Sequence, residues 1–248
     1  MPPYKTQGIV LRTYDLGEAD KILVLFTRNE GKISAIAKGA KKPRSRSLGG
    51  AQMFGHNQYL LYRGRNLDIV TQYEVVSAHV HLRDDLERLA YASYAVELLI
   101  ETTHERDPSP EIFDLMVWIL GNIDSGRNNE AAIAVYELRL MEHLGYRPEL
   151  SRCASCGEEV TGRCWFDAGA GGIVCSACSP GMSQARPLSL GAAASLRALQ
   201  DPASRWQALK LSGEVGAEVA SALEEYIIYR TEKRLVSLEF LKSLKQSK

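Results

Sequence analysis

Two CxxC pairs, Cys153 with Cys156 and Cys175 with Cys178, stand eighteen residues apart and constrain what the chain between them can become. That interval suits a four-cysteine zinc site. Each CxxC sets two sulfurs on one tight turn, and two such turns facing each other make the tetrahedral thiolate cage that zinc prefers. Gly157 follows the first pair and Gly171-Gly172 precede the second, where sharp turns call for residues tolerant of positive φ. Two disulfides fit the count, but no secretory signal precedes the chain and the fifth cysteine, Cys164, would be left odd. A thioredoxin-type pair would open a helix after a strand, whereas both pairs here sit in glycine-bearing loops. Four thiols that were merely buried would not need paired spacing. One Zn2+ held by Cys153, Cys156, Cys175 and Cys178 is therefore the expectation, and with four thiolate ligands no coordination position stays open. The metal is expected to hold the fold and not to catalyse. Cys164, beside Trp165 and Phe166, reads as a packed thiol.

The formal net charge of the 248 residues is zero, but the average hides an asymmetry. Residues 1–65 carry twelve Lys/Arg against four Asp/Glu, and residues 81–150 carry six against fourteen. A basic amino-terminal module thus precedes an acidic middle. No apolar run has transmembrane length, so no membrane is expected and the cytoplasm is the expected compartment.

The first 80 residues predict a small closed β-barrel. Short strands are expected at Gln7–Leu11, Lys21–Thr27, Ile33–Ala37, Gln58–Tyr62 and Asp68–Tyr73, with glycine- and asparagine-bearing turns between them. The second strand is too uniformly apolar to show which face is buried. Between the third and fourth strands lies a segment with Lys38, Lys41, Lys42, Arg44 and Arg46 and no acid, chemistry that suits contact with phosphate oxygens. Arg12, Lys32, Arg63 and Arg65 add to the charge of this module, and Phe54, Tyr59 and Tyr62 are candidate stacking surfaces for unpaired bases. A plain solvated loop and ordinary core packing of these rings are the competing readings.

From Leu82 the apolar period changes to three and four, predicting a long amphipathic helix through Leu86, Leu89, Val96 and Ile100. Asp107-Pro108 ends it. A second helix is expected over Glu111–Ile123 and a third from Asn128 to Gly145, the latter a helix stop. After the cysteines, Ser189 is expected to cap a helix running to Leu199, Ser212 to Arg230 reads as a longer one, and Leu238 to Leu244 as a final turn. Tyr226, Arg230, Lys233 and Arg234 gather aromatic and basic groups near the end of the long helix. Glu137, Arg139 and Glu142 lack a His or Asp at ligand spacing, and His79 with His81 is a weak pair. No phosphate-binding loop, dinucleotide fingerprint, GxSxG or HExxH is present, so no catalytic residue is assigned. The division expected is a barrel over 1–80, a helical part over 81–150, the cysteine loop over 151–181 and a second helical part over 182–248.

With these parts placed, the chain resembles the RecO family of bacterial recombinational repair proteins over essentially its full length. The likeness is carried by GIVLRTYDLGEADKIL at 8–23, TRNEGKISAIAKGAKKPRSR at 27–46, YELRLMEHLGYRPEL at 136–150, the cysteine loop, and YIIYR with KRLVSLEFL within 226–241. The resemblance implies an amino-terminal OB-fold, an all-helical domain and an embedded four-cysteine zinc element. It further implies a non-enzymatic mediator that binds single- and double-stranded DNA and anneals complementary strands. With RecR, such a mediator helps RecA replace the single-stranded DNA-binding protein, at the nucleoid during repair. Lys38, Lys41, Lys42, Arg44 and Arg46 fall in the family's basic barrel loop, and the four cysteines match its metal ligands. A contact for the acidic, apolar-ended tail of the single-stranded DNA-binding protein is expected around Tyr226, Arg230, Lys233 and Arg234. The competing classes are a structural adaptor with little DNA contact and a metal-dependent DNA-processing enzyme.

Overall fold

In a computed structural model of the chain, residues 2–42, 49–211 and 213–246 are described. Arg44 and Arg46 of the basic segment, and Ser212, lie outside them. The chain divides into two compact units, Met1–Ser125 with Val236–Lys248, and Gly126–Leu235. These cut the helical region after residue 125, a place where the sequence showed only a helix–helix turn. They also return the last helix to the first unit. Divisions at 80, 150 and 181 do not coincide with them.

The first unit is built on the expected five-stranded closed barrel, OB-fold-like, with order β1-β2-β3-β5-β4. The strands are β1 (Pro3–Leu16), β2 (Asp20–Thr27), β3 (Gly31–Ala37), β4 (His56–Tyr62) and β5 (Asp68–Ser77). At fourteen residues, β1 is far longer than the five expected, because it serves two neighbours. Its first half pairs with β4 and its second half with β2, and a bulge between Val10 and Arg12 bends it from one partner to the other. Closure comes from the parallel pairing of β3 with β5 over Ala35–Ala37 and Asp68–Val70. Val10, Leu23, Leu25, Ile33, Tyr59 and Leu61 fill the interior.

The uniform hydrophobicity of β2 has a simple cause: toward its carboxyl end it is covered on both faces, and Ile22 and Val24 before that are half-buried. Leu23 and Leu25 point inward, while Phe26 stacks at 6.4 Å on Phe113 of a neighbouring helix. That helix is α3 (Pro110–Ser125) and follows α1 (His81–Asp84) and α2 (Leu86–Thr102). The long helix expected from Leu82 is thus broken at Asp85, whose backbone is extended and whose carboxylate accepts from the Arg88 N–H at 2.9 Å. A capping acid out-competes helix continuation there. Leu86, assigned to the inner stripe, is consequently 56% exposed.

Two groups of the barrel are structural and not surface contacts. Lys32 is buried, and its Nζ donates to the Ile100 and Thr103 carbonyls at 2.7 Å each, closing the carboxyl end of α2. Phe54 and Tyr59, candidates for base stacking, are 0% and 1% exposed, and Tyr59 donates to the Gly50 carbonyl at 2.6 Å. The last helix of the chain, α7 (Val236–Gln246), packs on α2, and the Glu97 carboxylate receives the Ser237 N–H at 2.8 Å at its amino end.

In the second unit α4 (Asn129–His143), α5 (Leu190–Gln200) and α6 (Gly213–Thr231) pack on one another. Asn128 and Ser189 cap α4 and α5 through the N–H groups of Ala131 and Ala192. Gly145 follows α4 at φ +82°, the stop its identity suggested. Read from sequence as loop, the cysteine region holds a three-stranded sheet of order β7-β6-β8. Its strands are β6 (Cys164–Asp167), β7 (Gly172–Cys175) and β8 (Arg186–Leu188). No helix of the described residues is long and apolar enough to cross a membrane.

Candidate metal centre and nucleic-acid surface

The cysteine element is tied to the helices of its own unit before any metal is considered. Arg197 of α5 donates to the Leu150 carbonyl at 2.6 Å, Gln200 to Pro148 at 2.9 Å, and Tyr226 of α6 to Tyr146 at 2.9 Å. The strap 146–150 so held pairs with the start of β7: the Ile173 N–H donates to the Glu149 carbonyl at 2.8 Å. Gly172 makes this approach possible, since a Cβ there would lie 2.0 Å from the Glu149 carbonyl oxygen. Glu149 then fixes the next turn, its carboxylate accepting from the N–H groups of Arg152 and Ser151, which hold it below the usual carboxylate range. Cys153 follows at once.

The sulfurs of Cys153, Cys156, Cys175 and Cys178 lie within 4.8 Å of one another. A tetrahedron of sulfurs about 2.3 Å from zinc has edges of about 3.8 Å, and Cys156 Sγ stands 3.9 Å from Cys175 Sγ. Cys153 is readied to ionise: burial opposes its thiolate, but N–H groups of Cys156, Cys175 and Ser155 bring its pKa down to about 6. Cys178, although Ser155 favours its thiolate, is pushed up to about 12 by the neighbouring Cys175 and Cys156 sulfurs. Thiols this close cannot all shed their protons unless a cation takes up the charge. The donor set, its spacing and this conflict all fit one structural Zn2+, with no fifth ligand among the described residues and no open position. Cys164 is apart from the cluster, 3% exposed, its thiol aimed at the Leu188 carbonyl and its pKa raised by burial.

The basic residues of the barrel fall into separate groups. Lys38 and Lys42 are exposed where the chain leaves β3. Lys41 is held back beside the β1–β2 turn, its Nζ 2.9 Å from Asp15 and 3.2 Å from the Gly17 carbonyl. Arg63 stands in the β4–β5 turn at the other end of the strands, paired with Glu30 and 5.2 Å over the Tyr4 ring. Arg65 is exposed in the same turn, and Arg12 is half-buried midway along β1. The six of the eight predicted residues that are described therefore do not lie in one place. Tyr62, the third stacking candidate, remains 44% exposed.

Of the residues expected to meet an acidic protein tail, Lys233 and Arg234 are exposed just beyond α6, but Tyr226 is only 2% exposed and packs edge-on against Phe166. Arg230 turns the other way, over the rings of Tyr226, Tyr229 and Tyr146. It lines a cavity of about 480 Å³ beside the first cysteine pair, with Arg147 and Arg152 on its wall. The sequence reading passed over Arg147 and Arg152. Their only signal was position, flanking the strap that leads into Cys153. His79, part of the weak histidine pair, is buried with Nδ1 2.8 Å from the Phe54 carbonyl, and among the described residues the cysteines alone form a metal-ligating group.

Comparison with known proteins agrees with this architecture. The family model described as Recombination protein O N terminal matches residues 1–79, and Recombination protein O C terminal matches residues 83–239. A protein named DNA repair protein RecO from Symbiobacterium thermophilum is 40% identical, with 100% of both chains covered. One of the same name from Pelotomaculum thermopropionicum is 37% identical over 97% of this chain and 94% of its own. A third, from Anaeromyxobacter dehalogenans, is 36% identical over 97% and 96% respectively.

Proposed function

The chain belongs to the RecO family of DNA repair proteins, and from that premise we propose how its surface carries out mediation in repair and recombination, a role that involves no catalysis. The barrel binds single- and double-stranded DNA through the segment leaving β3, with Lys38, Lys42, Arg44 and Arg46 as phosphate contacts and Lys41 as the tether that holds the segment to the β1–β2 turn. Arg12, Arg63 and Arg65 add attraction at longer range. Holding two phosphate backbones against one positive surface lowers their mutual repulsion, which speeds annealing without any bond being made or broken. In the cytoplasm, and with RecR, the bound protein helps RecA onto strands coated by the single-stranded DNA-binding protein. Lys233 and Arg234 are the cations for that protein's acidic tail.

The observation that carries this reading is the exposure of Lys38 and Lys42 at the exit of β3 in a chain of this family. Strand annealing tests it. Alanine at Lys38, Lys42, Arg44 and Arg46 is expected to slow annealing and weaken binding to both DNA forms; unchanged rates would favour a structural adaptor. Titration with the tail peptide against a Lys233→Glu, Arg234→Glu variant tests the partner contact, and equal affinity of the two proteins would remove it.

A further inference from the structure

The cavity beside the first cysteine pair is lined by three arginines. Its cationic wall is Arg147, Arg152 and Arg230, against the single carboxylate of Glu149. That carboxylate is already engaged by two backbone N–H groups. Arg147 pairs at 2.6 Å with Glu142, both side chains well exposed, a pairing too weak to hold it from a ligand. Arg152 is exposed and has no ion pair among the described residues.

Arg230 is the least satisfied of the three. Its guanidinium lies 5.9 Å from the Tyr146 ring, 5.0 Å from Tyr226 and 5.3 Å from Tyr229. Its Nε is shut off from solvent without a hydrogen-bond acceptor. Cation–π stacking orients a guanidinium but satisfies none of its five donors, so the Nε–H keeps its desolvation cost and the Nη groups are the donors that a ligand in the cavity can meet. Gly171, at φ +94°, leaves the space: a Cβ there would come within 3.0 Å of Arg230 Nη2.

We propose that this cavity holds a backbone phosphate of single-stranded DNA, with Arg147, Arg152 and Arg230 as its cationic contacts and Tyr146 and Tyr229 as stacking surfaces for the adjoining bases. The inference rests on the DNA-binding reading above and gives it a second contact, in the unit that carries the zinc. Three features select a nucleic-acid strand over an acidic peptide with an apolar end. Apart from tyrosine rings, the wall's apolar groups are two alanines, Ala154 and Ala170, so an aliphatic or phenyl side chain finds no slot. Tyr146 on the wall and Tyr229 beside Arg230 are 46% and 48% exposed, partly uncovered rings of the kind on which unpaired bases stack. Three arginines line one space, a donor set suited to the oxygens of a phosphate.

The test is salt-dependent binding of a mixed-sequence single strand by full-length, zinc-loaded proteins. Arg147→Gln with Arg152→Gln alters two exposed groups. It is expected to keep one zinc per chain and an unchanged Tm while weakening binding several-fold. The log–log salt slope should fall by up to about 0.7, the share of the one phosphate the cavity holds. Tyr229→Ala is expected to weaken binding of the normal strand about five-fold or more and to leave binding of an abasic strand unchanged. If the arginine variant keeps wild-type affinity and slope while alanine at Lys38 and Lys42 lowers both, the pocket proposal fails and the barrel reading stands. If wild type itself shows no salt-dependent strand binding, both fall. If the arginine variant loses only an acidic, apolar-ended peptide, the cavity serves a protein partner and the proposal is overturned.

Discussion

The cysteine cluster and the basic segment after β3 are both small sites made at turns, yet they relate to the fold in opposite ways. Every ligand of the cluster comes from this chain, and strap, sheet and helices hold the turns where zinc needs them. Lys38 and Lys42 have no such completion; they are exposed, and the partner proposed for them is another molecule. Where a site is closed on itself, its geometry is a condition of folding. Where it is open, only its charge is specified. The two should therefore fail differently, one through stability and the other through affinity.

The sharpest separation comes from Cys175→Ser. A structural zinc contributes about 10–16 kcal/mol in small metal-folded peptides, comparable with the whole stability of a domain at about 5–15 kcal/mol. Metal content measured on the purified variant should fall from one per chain to none. Hydrogen exchange should show residues 146–189 losing protection while β1–β5 keep theirs. Gly172→Ala tests the same closure without touching a ligand. A Cβ 2.0 Å from the Glu149 carbonyl oxygen forces the strap off β7, and a loss of about 2–3 kcal/mol is expected from denaturant melts.

Two lysines six residues apart sharpen the contrast within the barrel. Lys32→Met leaves the Ile100 and Thr103 carbonyls without their donor and should cost about 1–3 kcal/mol, with little change in the salt slope of DNA binding. Lys38→Met should do the reverse, leaving Tm in place and lowering the slope by about 0.7 for a single-strand contact. A Lys32 variant with native stability and weakened DNA binding would break the distinction.

The smallest effect is in pH. Burial, with neighbouring His79 second, holds the His56 imidazole below its usual range, against the opposing pull of Asp114. The unfolded chain therefore takes up this proton first as pH falls. Stability is full above the unfolded value of about 6.5 and is lost progressively below it. His56→Gln should flatten that part of the Tm–pH profile; an equal slope in both proteins would assign it to other groups.

How much of this could be read in advance follows the same division. The four ligands were legible because CxxC spacing is local, and the five strands because short apolar runs were set off by turns. The burial of both faces of β2 toward its carboxyl end was not, since Phe113, which covers Phe26, lies far along the chain. Lys32 looked like surface charge because the two carbonyls it caps are about seventy residues away. The strands β6–β8 were hidden by their brevity and by the glycines and cysteines around them, and α1 and α2 looked like one helix because the break between them is made by Asp85, a residue that also suits a first helical turn. Arg147 and Arg152 gave no sign because what unites them with Arg230 is a cavity.

The central claim is that metal and DNA are served by different residues. Zinc content and salt slope measured together on one variant test it most directly. With alanine at Lys38, Lys42, Arg44 and Arg46, the protein is predicted to retain one zinc per chain and its wild-type Tm. The log–log slope for single-strand binding should fall by about 0.7 for each phosphate that no longer meets a cation. Retention of the full slope with the metal in place would contradict the account.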